Sequence, residues 1–356
     1  MYGAMLGDMI GVPYEEDRRR KIRDFPLFIG EGPFRRDFTD DTVITVAVAD
    51  ALMNSLGKSE EETKRALVRS MRAWTRRYPG AGYGRMLCDW LRSCHPSPSE
   101  RYGDGSAMHV SSAGWLYDTL EETRQKARWT AEVAHSHPEG IRDAEAVASV
   151  IFLARLGWSK ADIRSFLIHI FGYDLSLTCD QIRTASRHED SCPKTVPEAM
   201  EAFLEGENIE DVIRTAVSLG GDSASLACMA GSMAEAFYGV PPSLETLCRA
   251  RIPKDMQAVL ARLCRMRGRK KEPGDLRLEE NMSIEKAIEA YVANSTWDTV
   301  ADVLEAIRTR MRAGGCFLIP VIVPEEPLER LDPELFRAGE THHAQTELHF
   351  RAKKVT

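Results

Sequence analysis

The chain has 356 residues, 43% of them hydrophobic and 28% charged, with a formal net charge of −7. These values describe an ordinary globular protein with room for one large and one small domain, and the acidic balance argues against nucleic acid as the main partner. Eight scattered cysteines with no CxxC pair read as reduced thiols, not as a disulfide frame or a zinc site, and no apolar run approaches the roughly 20 residues of a membrane span.

The N-terminal stretch lacks a basic leader and reaches Asp8 and Glu15 early, so no signal peptide and a cytoplasmic location are expected. Gly3, Gly7 and Gly11 recur every four residues. That spacing makes one flat helical stripe and predicts close helix packing. The helix should end at Pro13-Tyr14, just before Glu15. Arg18, Arg19, Arg20, Lys21 and Arg23 then read as a solvated face. Phe38-Thr39-Asp40-Asp41-Thr42 precedes an apolar segment from Val43 to Met53. Thr and Asp are N-cap residues, and acids are favoured in a first helical turn, so the plain reading is a capped helix start. A cap uses one oxygen, however. Two carboxylates between two hydroxyls also make a dense set of hard ligands suited to Mg²⁺ or Mn²⁺.

Apolar periodicity predicts helices over Thr42–Leu56, Ser59–Tyr78, Met86–Cys94, Glu121–His135 and Arg142–Leu156, then over 159–170, 197–205, 208–218 and 224–238. A glycine loop, Tyr102 to His109, leads into an apolar stretch through Trp115, and His135-Ser136-His137-Pro138-Glu139-Gly140 separates two of the helices. Leu219-Gly220-Gly221-Asp222-Ser223-Ala224-Ser225 repeats the logic of the Thr39 stretch: a turn, a carboxylate, hydroxyls, then a buried helix. Asp222 and Ser225 could face Thr39, Asp40 and Asp41 if the two helix N-termini converge. Both ends carry partial positive charge, and a divalent pair would justify crowding carboxylates between them.

With no strand pattern before residue 270, residues 1–265 are expected to form an all-α domain. A basic and polar linker, 266–280, follows, then a small α+β module, 281–356, with helices over Ile284–Ala293 and Thr296–Ala313 and a strand over Cys316–Val323. His342, His343 and His349 read as exposed tail residues. Rossmann-type dinucleotide binding is excluded because the Gly3-Gly7-Gly11 series follows no strand. No nucleophile elbow accompanies His135 or His137, so triad chemistry is not expected.

Five segments together resemble the ADP-ribosylglycohydrolase family, which includes the dinitrogenase-reductase-activating glycohydrolase. They are Gly3-x3-Gly7-Asp8-x2-Gly11-x2-Tyr14-Glu15, Phe38-Thr39-Asp40-Asp41-Thr42, Gly103-Asp104-Gly105-Ser106-Ala107-Met108, His135-x-His137-Pro138-Glu139-Gly140 and Gly220-Gly221-Asp222. The resemblance implies an all-α, orthogonal helical bundle with a cleft holding two Mg²⁺ or Mn²⁺ ions. It implies hydrolysis of the glycosidic bond between ADP-ribose and a modified acceptor, arginine above all, so ADP-ribose or an ADP-ribosylated protein would be the partner. Carried over by position, Thr39, Asp40, Asp41, Asp222 and Ser225 would hold metal. Glu15, Asp41 and Asp222 would be catalytic. Gly103, Asp104, Gly105, Ser106, Met108, His109, His135 and Gly140 would line the ADP-ribose.

Three positions depart from the family's usual pattern. Ala224 stands where a second aspartate is usual, Asp104 where Asn is usual and His109 where Arg is usual. Losing one carboxylate from a shared set of ligands should weaken at least one ion, so a single metal is an alternative to two. The second functional reading is therefore a degenerate member that binds ADP-ribose or an ADP-ribosylated protein with impaired catalysis. A third is a scaffold whose working part is the C-terminal module. That module resembles the opening of the enhanced-serine-sensitivity type of domain, at Ile284–Tyr291, Gly314–Val321 and Glu347–Arg351, and is expected to be an incomplete unit.

Overall fold

The computed structural model describes residues 1–15, 22–28, 37–94, 96–100, 105–184 and 195–269, together with the backbone of three short strands beyond them. The Arg18–Lys21 patch, Gly103, Asp104 and the expected helices Ile284–Ala293 and Thr296–Ala313 lie outside the described residues. The chain divides into two compact units, Met1–Tyr117 with Glu122–Arg269, and Asp118–Glu121 with Lys270–Thr356.

Among the described residues the first unit is built of helices, with one isolated parallel bridge between Ser99 and His135. Its first half runs α1 (Tyr2–Gly11), a 3₁₀ turn (Val12–Tyr14), α2 (Asp40–Asn54), α3 (Glu60–Arg77), α4 (Arg85–Arg92), α5 (Gly105–Met108), α6 (Ser111–Leu116) and α7 (Leu120–Glu132). The second half runs α8 (Pro138–Arg155), α9 (Lys160–Phe171), α10 (Cys179–Thr184), α11 (Thr195–Glu205), α12 (Ile209–Ser218), α13 (Ser223–Tyr238), α14 (Pro242–Arg249) and α15 (Lys254–Arg269). Periodicity finds most of the long helices but not α15, read from sequence only as a basic helix end running into a linker, and it misses α10 and α14, which are too short to show a period. The helix expected from Arg142 begins four residues earlier. Pro138 fills its first turn, where a missing N–H costs nothing, and His137 Nδ1 accepts from the Glu139 N–H at 3.3 Å.

The core is built around α13, which touches α1, α8, α11 and α12. Its sequence is almost all small or apolar, and every residue from Ser223 to Glu235 is buried. A helix buried on all sides needs neighbours that approach closely. α1 does so along its glycine stripe. A Cβ on Gly3, Gly7 or Gly11 would lie 2.1, 1.9 or 2.4 Å from the carbonyl oxygens of Gly231, Ala227 and Ser223. No side chain fits at those distances, so the stripe sets backbone against backbone. Glu235 anchors the far end by accepting from the Gly3 N–H at 2.7 Å, and Ser223 Oγ anchors the near end by donating to the Gly11 carbonyl at 2.9 Å. The packing places the C-terminal end of α1 beside the N-terminal end of α13.

The second unit contains a three-stranded antiparallel sheet in the order β1 (Cys316–Pro320), β3 (Glu347–Arg351), β2 (Phe336–Ala338). Leu318 and Arg337 flank His349 in its register. The strand expected to reach Val323 is described as far as Pro320. No helix among the described residues is long and apolar enough to cross a membrane.

Candidate active site

The site begins with a carboxylate that sequence reasoning did not assign to it. Asp8 lies in the glycine stripe of α1 and is completely buried. Its Oδ2 accepts from the N–H groups of Thr39 and Thr42, at 2.9 and 3.1 Å, and from Thr42 Oγ1 at 2.6 Å. Its Oδ1 accepts from Thr39 Oγ1 at 2.8 Å. Burial pushes its carboxyl above the usual carboxylate range, against the opposing pull of those four bonds. Two free N–H groups of the first turn of α2 are thus satisfied by a side chain from another helix. Thr39 is also the N-cap, its hydroxyl accepting from the Asp41 N–H at 3.2 Å. The signal that could have found Asp8 was available: it is the one acid within an otherwise apolar and small helix.

Outside this buried layer stand groups that reach the surface. Asp40, Asp222 and Glu15 are half-buried, whereas Thr39, Asp41, Thr42 and Ser225 are buried. Burial raises the Asp40 carboxyl to about 7, and the charges of Asp8, Asp222 and Glu15 add to the shift. Asp40, in the first turn of α2, therefore feels carboxylates from α1, from the end of the 3₁₀ turn and from the cap of α13. Asp222 caps α13 by accepting from the Ser225 N–H at 3.1 Å. Ser225 Oγ lies 3.2 Å from Asp41 Oδ2, a direct link between the two helix starts. Ala224, between Ser223 and Ser225, is buried and offers no donor or acceptor from its side chain.

The glycine loop is different from its sequence expectation. Gly105–Met108 forms one helical turn, α5, rather than an open loop. Ser106 Oγ donates to the Gly140 carbonyl at 2.8 Å, so these two groups bind each other and tie α5 to the start of α8. Met108 is held by both helix starts. Its carbonyl accepts from Thr45 Oγ1 at 3.4 Å and Cys228 Sγ at 3.6 Å, and its Sδ lies 3.1 Å from Ser225 Oγ. His109 follows, buried, with Nε2 3.9 Å from Asp41 Oδ1 and no hydrogen-bond partner. Burial, helped by the neighbouring His135, drives its pKa down to about 3, so the ring is neutral. His135 stands beside Gly105, its Nε2 3.4 Å from where a Cβ would be, and its Nδ1 is also buried without a partner. Two further neighbours were not anticipated. Tyr83 and Cys228 both feel the charge of Asp40, and burial pushes both upward.

The donor chemistry suits a hard divalent cation. Oxygen ligands predominate, and Asp40 is raised by burial and by carboxylates around it, a penalty that a cation would relieve. The count of ligands is low: among the described residues no group of three or more His, Cys, Asp and Glu side chains is arranged to hold an ion.

Residues 1–273 match the profile of the family described as ADP-ribosylglycohydrolase. The chain is similar to the ADP-ribosylhydrolase ARH3 of Gallus gallus, at 25% identity over 70% of this chain and 87% of that protein. It is similar also to the ADP-ribosylarginine hydrolase Tri1 of Pseudomonas putida, at 28% identity over 67% of this chain and 70% of that one. A solved structure titled "ADP-ribosylglycohydrolase-related protein complex" shares the fold, with a TM-score of 0.51 and 24% identity, covering 75% of this chain and 98% of its own.

Proposed function

The chain belongs to the ADP-ribosylglycohydrolase family, and from that membership we propose that it hydrolyses the glycosidic bond between the ribose of ADP-ribose and a modified acceptor. The observation that carries this reading is the meeting of Glu15, Asp40 and Asp222 over a buried Asp8, with Asp40 raised to about 7. Such crowding is costly and is found where charge has work to do. Arginine-linked ADP-ribose is the preferred substrate class, supported by the name of the Pseudomonas putida relative.

Thr39, Asp40, Asp41, Asp222 and Ser225 would hold Mg²⁺ or Mn²⁺, which when bound lowers the pKa of a water and orients the ribose hydroxyls. Glu15 stands at the end of the 3₁₀ turn, half-buried and within electrostatic reach of Asp40. From there it would take the proton of the attacking water. The remaining carboxylates would favour the positive charge that develops on the anomeric carbon as the bond to the acceptor breaks. Asp41 is deeper and bonded by Ser225, so its role would be to fix the position of Asp40 and of the α13 start. His135 and the turn Gly105–Met108 would line the ADP-ribose, with Gly103 and Asp104 preceding them in the chain. Ser106 and Gly140 would shape that wall through their mutual bond.

A second reading is supported by a particular residue. Ala224 leaves the first turn of α13 with Asp222 as its sole carboxylate, which favours a protein that binds ADP-ribose or ADP-ribosylated protein with little turnover. Release of ADP-ribose from an ADP-ribosyl-arginine substrate, with Mg²⁺, Mn²⁺ or chelator, separates the two. Turnover that chelator stops supports the hydrolase. Turnover by Ala224→Asp alone supports the binding reading, and release by neither form removes the arginine-linked substrate.

A further inference from the structure

We propose that Phe38 and Tyr83, both fixed on Tyr78, form the wall of an acceptor subsite that receives a flat cation, the guanidinium of an ADP-ribosylated arginine. The inference rests on the hydrolase reading above and adds to it the surface that recognises what the ADP-ribose is attached to. Phe38 directly precedes Thr39, the cap of α2, and Asp40 follows that cap. A hydrophobic residue in such a position ordinarily packs on its own helix. The ring of Phe38 also meets Tyr78, at the end of α3, edge to face with centroids 5.9 Å apart. Tyr83 lies in the connection from α3 to α4, and its hydroxyl donates to the Tyr78 carbonyl at 2.7 Å. Tyr78 is itself clamped. Its ring stacks on that of Trp74 at 6.1 Å, and its hydroxyl donates to Asp255 Oδ1 at 2.6 Å. Trp74 is buried and donates from Nε1 to Asp50 Oδ2 at 3.2 Å.

Phe38, Tyr78 and Tyr83 are all half-buried, so each keeps part of its surface outside the core. Rings held in place before a ligand arrives lose little freedom when it binds. The adjacent carboxylates of α2 have different neighbours. Asp41 is bonded by Ser225 and lies near His109, on the side of α5. Asp40 lies within electrostatic reach of Tyr83. The turn Gly105–Met108, proposed above to line the ADP-ribose, is tied to the Asp41 side through Ser225. The aromatic side is left for the acceptor. A guanidinium suits what stands there, because it stacks on aromatic faces and is drawn to the neighbouring Asp40 and Glu15 carboxylates.

The test uses the full chain with ADP-ribosyl-arginine as substrate and free ADP-ribose as competing product. Phe38→Leu keeps apolar bulk and removes the ring. It is expected to raise KM for ADP-ribosyl-arginine about 3- to 30-fold, the range of a cation–π contact, with kcat and the inhibition constant of ADP-ribose nearly unchanged. Phe38→Tyr, which restores the ring, should restore KM. A ring that served only to pack on Tyr78 would lower the melting temperature and leave KM alone. Unchanged KM in both Phe38→Leu and Tyr83→Leu overturns the proposal. An inhibition constant that rises in step with KM shows that the rings hold the ADP-ribose itself, and also overturns it. If the unaltered protein releases no ADP-ribose, the hydrolase reading falls alone, and the subsite is read by calorimetry. Tighter binding of ADP-ribosyl-arginine than of ADP-ribose, with the difference lost in Phe38→Leu, supports the wall, and equal affinities remove it.

Discussion

The starts of α2 and α3 use the same cap chemistry and put it to opposite uses. Thr39 accepts from the Asp41 N–H, and Ser59 accepts from the Glu62 N–H at 3.4 Å. At α3 the reply is local. Glu62 accepts from the Ser59 N–H and hydroxyl, completing a capping box on the surface, and those two bonds hold its carboxyl below the usual range. At α2 the satisfying carboxylate comes from another helix, Asp8. The acids of the turn itself are left to one another, and Asp40 rises to about 7. A carboxylate lowered by its cap is at home there. One raised beside its cap is held in place by the rest of the fold, and the sign of the shift separates the structural cap from the candidate site.

The comparison breaks most severely at Asp8. Asp8→Ala would leave the N–H and hydroxyl of both Thr39 and Thr42 buried without an acceptor. At about 1–3 kcal/mol for each orphaned group, with partial relief by relaxation, the loss is expected to reach about 4 kcal/mol or more, measured by denaturant unfolding. A loss below about 1 kcal/mol would show that the α2 start does not depend on Asp8. Gly7→Ala comes next, since its Cβ would sit 1.9 Å from the Ala227 carbonyl oxygen. Backbone cannot yield as a side chain can, so α1 and α13 would have to separate. About 3 kcal/mol is expected, with a loss of ADP-ribosyl hydrolysis larger than stability alone explains, because the Asp222 and Asp40 ends would move apart.

Much of this arrangement is legible in the chain, and the exceptions have physical reasons. The glycine stripe, the helix opening at Ser59 and the two Asp-bearing helix starts are local patterns, and the structure shows helices at those places. No local rule brings Asp222 within electrostatic reach of Asp40, about 180 positions away, so the repeated logic of the two helix starts suggests such a pairing without fixing it. The role of Asp8 has no local signature because its partners, Thr39 and Thr42, are more than 30 residues away. The turn Gly105–Met108 reads as a loop because glycine and serine are poor helix formers. It is helical because Ser106 and Met108 are bonded from outside, to Gly140, Thr45 and Cys228.

A sharper form of the comparison comes from pH. Asp40 has a folded pKa of about 7, above its ordinary value of 3.8. The folded state therefore binds more protons than the unfolded state between those values, and stability falls as pH rises. The contribution is fully present below about 4 and is lost as pH passes through about 7. In chelator, the melting temperature should thus decline from pH 5 to pH 8, and Asp40→Asn should flatten the decline. At pH 8 the variant is expected to be the more stable protein by several degrees, and at pH 5 to differ little. Equal slopes for the two proteins would mean that Asp40 is not the group under strain.

The mildest change tests the cap that is only a cap. Ser59→Ala removes the hydroxyl that accepts from the Glu62 N–H and donates to its carboxylate. A lost N-cap costs about 1 kcal/mol, read as a small fall in the denaturation midpoint with no change in its slope. Glu62 has a lowered pKa, so its stabilising effect is present at neutral pH and is lost as pH falls through the folded value. The difference between Ser59→Ala and the unaltered protein should therefore shrink on acidification, opposite in direction to the Asp40 effect. Hydrolysis of ADP-ribosyl substrate should be untouched, because among the described residues the side chains of Ser59 and Glu62 bond each other at the exposed start of α3. A Ser59→Ala protein that lost turnover at full stability would show that the start of α3 serves the site as well, and the distinction drawn from the two pKa shifts would fail.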